Sequence, residues 1–286
     1  EINVENDKHM RQMLKDYPVD GAIVRVNVHS KRHADRGKIM KIIILAAGYA
    51  VRLQPLTLNT PKSLLLVGGR PIMDRIMDKL SLIKGWDEIY VITNAKYYDN
   101  FVKWAQGTSF RDKISVINDG TTSNENRLGA IKDMYFVVEG KAIDNDLLVV
   151  AGDNLFEFNI LTFMEFARSN DGVSVALYDV GSKDLARNYG VVELDASDKV
   201  VDFEEKPQNP KSTLVSTGIY YFPKNKLPFI HKYVKMQSKL DAPGYYIGWL
   251  SGEDKVYGFK FIEDWYDIGN IESYNKADSN YTKKER

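Results

Sequence analysis

Ile42-Ile43-Ile44-Leu45-Ala46-Ala47-Gly48-Tyr49-Ala50-Val51-Arg52-Leu53-Gln54-Pro55-Leu56-Thr57 begins as an unbroken apolar run, passes through small residues and reaches a cation. A run with no polar alternation suits a strand buried on both faces, and such strands belong to parallel sheets sandwiched between helices. Working outward, apolar runs recur at residues 89–93, 114–118 and 147–151, with helical periodicity at 71–83, 97–106 and 127–138 between them. This alternation predicts an α/β fold of Rossmann-like type, with a mixed, mainly parallel sheet and helices on both faces. Beyond residue 170 the pattern becomes strand-rich, at 172–178, 190–194, 200–204 and 216–222.

The chain has 286 residues, 39 Lys+Arg against 39 Asp+Glu, no cysteine and 44% hydrophobic residues. That is apolar material for one large core or two modest ones. Balanced charge without a long basic run lacks the footprint of a nucleic-acid binder. The absence of cysteine excludes disulfides, thiolate zinc sites and a cysteine nucleophile, so the chemistry must use oxygen and nitrogen groups. No apolar stretch approaches the roughly 18 to 20 residues of a membrane span, and the acidic start Glu1-Ile2-Asn3-Val4-Glu5 is unlike a secretory leader. Cytoplasmic residence without membrane insertion is expected, and assembly into a homo-oligomer is compatible with it.

Residues 1–39 read as an N-terminal extension and linker: a short helix with Met10, Met13 and Leu14 on one side, an alternating strand at 23–28, then the polar run 31–38. A domain boundary is expected near residue 40, leaving 40–286 as the functional domain.

The small residues Ala46, Ala47 and Gly48 after Leu45 let a backbone approach a ligand, and Arg52 and Lys62 follow where a folded loop can bring both to one anion. A polyphosphate fits, although the three glycines of a dinucleotide fingerprint and the Walker pattern are both missing. The plainer alternative is a glycine turn with two surface cations. Asp153, in Ala151-Gly152-Asp153-Asn154, follows an apolar strand at the end of the sheet where open α/β sheets bind ligands. It is a candidate metal ligand, or equally a turn former bonded to its own backbone. Asp267, in Trp265-Tyr266-Asp267-Ile268-Gly269, supplies a second carboxylate. Two carboxylates with few other protein ligands suit Mg²⁺ held largely by substrate phosphates. Glu205 and Lys206 fit sugar hydroxyls and a phosphate respectively, or a charged turn closed by Pro207. Thr217-Gly218 reads as a flat place in a strand, or simply a bulge.

Taken in order, these segments resemble the sugar-1-phosphate nucleotidyltransferases, closest in pattern to the glucose-1-phosphate thymidylyltransferase group, over roughly residues 40–275. The resemblance is carried by Leu45-Ala46-Ala47-Gly48 through Arg52-Leu53-x-Pro55-Leu56-Thr57, Pro61-Lys62, Gly68-Gly69-Arg70-Pro71-Ile72, Gly152-Asp153-Asn154, Tyr189-Gly190-Val191-Val192, Glu204-Glu205-Lys206-Pro207 and Trp265-x-Asp267-x-Gly269. It implies a nucleotide-binding sheet with a sugar-binding half, and transfer of a nucleotidyl group from an NTP to a sugar-1-phosphate with release of pyrophosphate. Carried over residue by residue, Arg52 and Lys62 hold the triphosphate, and Asp153 and Asp267 bind Mg²⁺. Leu45, Ala46, Ala47 and Gly48 line the nucleotide, and the loop with Gly120, Leu128 and Gly129 is expected to read a pyrimidine base together with them, since small residues at a strand end let main-chain groups address a base edge. Asn154, Tyr189, Gly190, Glu205, Lys206, Thr217 and Gly218 line the sugar phosphate. Two places depart from the family. Ala50 and Val51 stand where the usual loop has glycine and threonine, and a positive φ at Ala50, if the loop requires one, would strain it. Residues 118–130, Gly/Thr-rich and ending in Arg127-Leu128-Gly129-Ala130, look more like the sugar cytidylyltransferases than the thymidylyltransferases. The base is therefore read as thymine or uracil first and cytosine second. The rival readings are a non-catalytic relative that binds nucleotide or sugar phosphate and regulates a partner, and a cytidylyltransferase acting on a non-sugar alcohol phosphate. A nicotinamide dehydrogenase is disfavoured by the single glycine.

All the candidate groups lie beyond Met40, so residues 1–39 are expected to be dispensable for chemistry. A chain beginning at Met40 should keep its turnover, and loss of turnover with the fold intact would place the extension in the site.

Overall fold

The computed structural model describes residues 39–236 and 241–285. These residues belong to one compact unit, Gly37–Arg286, while the helix and strand expected before residue 39 lie outside the described residues. The elements run β1 (Met40–Leu45), β2 (Leu66–Val67), β3 (Arg70–Pro71), α1 (Ile72–Ser81), β4 (Trp86–Thr93), α2 (Tyr98–Gly107), β5 (Ile114–Asn118), α3 (Ala130–Gly140), β6 (Asp146–Ala151), β7 (Asn154–Phe156) and α4 (Ile160–Ser169). They continue through β8 (Val173–Asp179), α5 (Lys183–Ala186), β9 (Gly190–Leu194), β10 (Val200–Glu205), β11 (Leu214–Phe222), α6 (Pro228–Met236), α7 (Pro243–Glu253), β12 (Val256–Phe261), β13 (Trp265–Asp267) and α8 (Ile271–Lys284).

The apolar run at 40–45 forms the middle of the sheet. β1 pairs parallel with β4 on one side and β6 on the other, and the order β10-β9-β11-β6-β1-β4-β5 is extended by β8 on β11 and β12 on β8. The β1–β4–β5 and β1–β6 pairings are parallel, whereas β11 joins β6 antiparallel, so the sheet is mixed as its sequence predicts. Alternate side chains of β1 enter opposite cores. Ile42 and Ile44 join a core formed with Ile76 and Leu80 of α1, Phe101 of α2, Phe163 of α4 and Tyr281 of α8. Ile43 joins Ile131 and Met134 of α3, Ile230 of α6 and Ile247 and Leu250 of α7 on the other face. All three isoleucines are fully buried, which is the burial a non-alternating run requires.

The observed boundaries follow local backbone chemistry. The helix expected at 127–138 starts three residues later, because Gly129 has φ 88 and stands as the N-cap outside the helix. β11 extends two residues earlier than read and loses register with β8 between Ser216 and Tyr220, around Gly218 with φ 78. A Cβ on Gly218 would lie 2.8 Å from that of Ala151, so the irregularity lets β11 pass close to the end of β6. Among the described residues, no helix is long and apolar enough to cross a membrane.

The turn after β1 enters a 3-10 helix at residues 51–53 through Ala50, whose φ 48 and ψ 42 are left-handed. Tertiary bonds hold it there: the Thr57 hydroxyl donates to the Ala50 carbonyl at 2.8 Å, and the Tyr97 hydroxyl donates to the Thr57 carbonyl at 2.6 Å. An alanine in this conformation costs roughly 1 to 2 kcal/mol. Ala50→Gly is expected to relieve it, with a net stabilisation of about 1 kcal/mol after the greater unfolded-state freedom of glycine is subtracted. Urea unfolding of the two proteins checks this, and a destabilised glycine variant would show that the strain is absent.

Candidate functional site

β1 and β6 lie side by side and both finish at one edge of the sheet, with Leu45 opposite Ala151. The Gly152 amide donates to the Leu45 carbonyl at 2.9 Å, continuing that pairing one residue into the turn. No side chain fits there: a Cβ on Gly152 would lie 2.9 Å from Ser63 Oγ and 3.0 Å from the Leu45 carbonyl oxygen. The next residue, Asp153, is thereby held beside Lys62, whose Nζ is 2.5 Å from Asp153 Oδ2.

Asp267 reaches the same place from the far end of the chain. β13 pairs antiparallel with β7, setting Asp267 opposite Asn154, and the Ile268 amide donates to the Asp153 carbonyl at 3.2 Å. α8 follows immediately through a capping box, in which the Asn270 side chain accepts from the Ser273 amide and Ser273 Oγ accepts from the Asn270 amide. The Gly269 amide also donates to Ser273 Oγ, so the segment carrying Asp267 is fixed at both ends. Burial, and then the neighbouring Asp153 carboxylate, push Asp267 up to about 6, while Lys62, Arg52 and Lys206 pull it the other way. Five candidate groups from five separate segments thus share one electrostatic neighbourhood.

Glu205 and Lys206 close the other side. Lys206 has a left-handed φ of 50 and its amide donates to the Tyr189 carbonyl, which ties the end of β10 to the residue before β9. The Glu205 side chain is only 9% exposed and has Lys206 Nζ at 3.9 Å. Burial raises its carboxyl, Lys206 lowers it and Asp241 raises it further. Two glycines make its place: a Cβ on Gly190 would lie 3.1 Å from Glu205 Oε2, and one on Gly244, in the first turn of α7, would lie 1.8 Å from it. Tyr189 packs edge-on to Trp265 at 5.3 Å and lies within the field of Asp267.

Two residues expected at the sugar phosphate have their side chains bonded within the protein. Asn154 is buried; its amide donates to Asp153 Oδ1 at 2.8 Å and its carbonyl accepts from Trp265 Nε1 at 2.9 Å. It braces Asp153. Thr217 is buried with its hydroxyl on the Ala176 carbonyl at 2.9 Å. Burial demands these partners, and a sequence does not show which polar residues will be enclosed. On the nucleotide side, Ala46 and Ala47 are buried, with the Ala47 carbonyl accepting from Asn94, whereas Gly48 and Gly120 each face open space. Leu128 lines an apolar groove with Tyr135, Phe136 and Val234, and Gly129 caps α3. Sequence reading missed Gly244 and the Trp265 brace. A Pro-Gly pair opening a helix signals the turn but not the side chain packed against it.

The family model for nucleotidyl transferases matches residues 41–284. The chain belongs to the nucleotidyl transferase family. It is 32% identical over 235 residues to the bifunctional protein GlmU of Methanocaldococcus jannaschii and 32% identical over 240 residues to that of Methanococcus aeolicus. Each alignment covers 80% of this chain, which spans about half (51%) of the length of those relatives. In fold this nucleotidyl transferase is similar to a putative glucose-1-phosphate thymidylyltransferase from Bacillus anthracis, solved with a sucrose. The TM-score is 0.72 at 24% identity, covering 85% of this chain and 95% of that one. It is also similar to a UDP-glucose pyrophosphorylase solved with UDP-glucose, with a TM-score of 0.72 at 19% identity, covering 86% and 99%.

The raised Asp267 carboxyl has a consequence for stability. Its folded-state value lies above the ordinary carboxylate range, so its contribution is full in acid and is lost as pH rises from about 4 through about 6. Asp267→Asn in this nucleotidyl transferase should therefore flatten that part of the pH profile. Without ligands it should unfold at higher denaturant than wild type above about pH 6. Equal midpoints at about pH 7.5 would contradict this.

Proposed function

We propose that this nucleotidyl transferase transfers a nucleotidyl group from a pyrimidine NTP to a sugar-1-phosphate, with dTTP or UTP as first choice of donor and CTP as second. What carries the reading is the convergence of Arg52, Lys62, Asp153 and Asp267 at the joined ends of β1 and β6, with Glu205 and Lys206 facing them. A regulatory copy has no chemical reason to keep both carboxylates and the cations together.

In the proposed reaction an oxygen of the sugar phosphate attacks the α-phosphorus of the NTP. The bond from that phosphorus to the bridging oxygen breaks, and pyrophosphate leaves with its electron pair. No general base is needed, because a phosphate monoester is already anionic. The chain's task is to position two anions and offset their repulsion. Lys62 and Arg52 would hold the triphosphate, Lys206 the attacking phosphate and Glu205 two sugar hydroxyls. Gly48, fronting open space, leaves main-chain groups available to the nucleotide.

The donor set fits Mg²⁺. Asp153 and Asp267 are two oxygen donors crowded enough that one resists ionising, and a divalent cation removes that conflict. Among the described residues, no group of three or more His, Cys, Asp or Glu side chains is arranged to hold a metal, so substrate phosphates would complete the coordination. Mg²⁺ bound there supplies charge neutralisation to the α-phosphate and the attacking phosphate.

A grid of NTPs against sugar-1-phosphates and phosphocholine, read as pyrophosphate release, tests donor and acceptor together. A purine nucleotide as best donor would overturn the pyrimidine assignment. A best acceptor of phosphocholine would favour the non-sugar alternative, and silence across the grid would favour the regulatory one. With the active pair, Asp153→Ala and Asp267→Ala are each expected to lower turnover on the order of 10² to 10³, about 3 to 4 kcal/mol, and to shift the Mg²⁺ requirement upward. Near-normal turnover across a Mg²⁺ titration in either folded variant would remove that residue from the site.

A further inference from the structure

Two carboxyl groups outside the charge cluster are enclosed together, with no lysine or arginine ion-paired to either among the described residues. Asp119 follows β5 and Asp133 lies in the first turn of α3; their residues are 8% and 5% exposed. The Asp133 carboxyl is within hydrogen-bonding reach of that of Asp119. Asp119 Oδ1 accepts both the amide and the hydroxyl of Thr121, each at 2.7 Å. That leaves Asp119 Oδ2 and Asp133 Oδ1, one oxygen from each group, buried and without a donor among the described residues. Neither residue forms an ion pair among the described residues. Of the charged groups nearby, Asp241 adds a like charge, and Arg127 is engaged with Asp241 through two bonds of 3.1 and 2.9 Å. Tyr49 faces Asp119 from the first loop, with Lys96 beside Tyr49.

Two buried carboxylates within hydrogen-bonding reach cannot both ionise, and a single hydrogen between the two groups supplies a donor where none is otherwise present. We infer that Asp119 and Asp133 share one proton and act as a positioning pair for the nucleotide loop, Asp133 donating as the acid and Asp119 holding Thr121 as the anion. The assignment within the pair follows from bonding: Asp119 Oδ1 already accepts two hydrogen bonds, and Asp133 Oδ1 accepts none among the described residues. Burial, and then the Asp119 charge, push Asp133 up to about 8.

Thr121 is where the pair acts. Its carbonyl accepts from the Ala95 amide at 2.9 Å, and its hydroxyl oxygen accepts from Tyr49 at 3.3 Å, so loops following β1, β4 and β5 meet on one residue. Loss of the shared proton sets two anions against each other beside Asp241, and their repulsion displaces Asp119 together with the Thr121 it holds. The effect on nucleotide rests on the reading that residues 120–129 address the nucleotide; the shared proton itself does not.

The test uses the whole protein, with dTTP and CTP as probes, against Asp133→Asn, whose amide donates where the acid did. Dissociation constants are measured by calorimetry at about pH 7 and pH 9. The wild-type constant is expected to weaken roughly tenfold more between these values than that of Asp133→Asn, since only about one molecule in ten retains the proton a unit above its titration point. Identical pH profiles overturn the coupling to nucleotide, and an Asp133→Asn chain that fails to fold at pH 7 overturns the pair. Infrared difference spectra of wild type minus Asp133→Asn at pH 7 should show the carbonyl band of a protonated carboxyl, which disappears as the pH passes about 8. Its absence overturns the shared proton whether or not any nucleotide binds, so failure of the transferase reading and failure of the pair are told apart.

Discussion

The parallel pairing of β1 between β4 and β6 is the constraint on which everything else rests. It puts the carboxyl ends of three strands side by side, and the chain crosses from β5 on one flank to β6 on the other, leaving a crevice outside β1. The turns that leave these ends carry Gly48, Asn94 and Gly152-Asp153, so main-chain groups and a carboxylate gather without any need for long side chains. The hydrophobic cost of disturbing this is high, because Ile42, Ile43 and Ile44 fill two different cores. A one-residue slip of β1 would exchange the cores its side chains enter and move Gly48 out of the crevice.

Around that frame the protein accepts electrostatic tension. Asp153 is matched by Lys62 at 2.5 Å, but Asp267 is half-buried beside Asp153 with its three cations insufficient to hold it in the ordinary carboxylate range. A fold selected only for stability would place an amide there. Structure elsewhere compensates: the Asn154 and Trp265 brace, the strand pair β7–β13 and the capping box of α8 over-determine both backbones. Ala50 follows the same logic, its left-handed backbone enforced by Thr57 and Tyr97.

The parts legible in the sequence are those set by periodicity and by strand-end chemistry. The central strands and the mixed sheet follow from where apolar runs stop and what comes next, and the grouping of Arg52, Lys62, Asp153 and Asp267 from the family resemblance of the segments that carry them. What escaped depends on enclosure. Nothing local distinguishes Asn154 and Thr217, which spend their side chains internally, from Glu205, whose ion-pair partner among the described residues is Lys206 at 3.9 Å. Gly244 matters because α7 is laid over β10, a long-range placement. The sequence places the start of α3 too early because Leu128 continues its apolar pattern, whereas Gly129 adopts a φ that no helix contains.

The two acid pairs show how the same residue type serves opposite ends. At Asp153 and Asp267 the like charges are flanked by Lys62, Arg52 and Lys206, and the pair is partly open, so a cation can resolve the conflict from outside. At Asp119 and Asp133 no lysine or arginine forms an ion pair among the described residues, both groups are nearly sealed from water, and a proton is the occupant small enough to fit. Burial without cations selects a proton, and exposure beside cations selects metal and phosphate. The chemistry of each pair is thus decided by what lies within a few ångströms of it and by whether water can reach it.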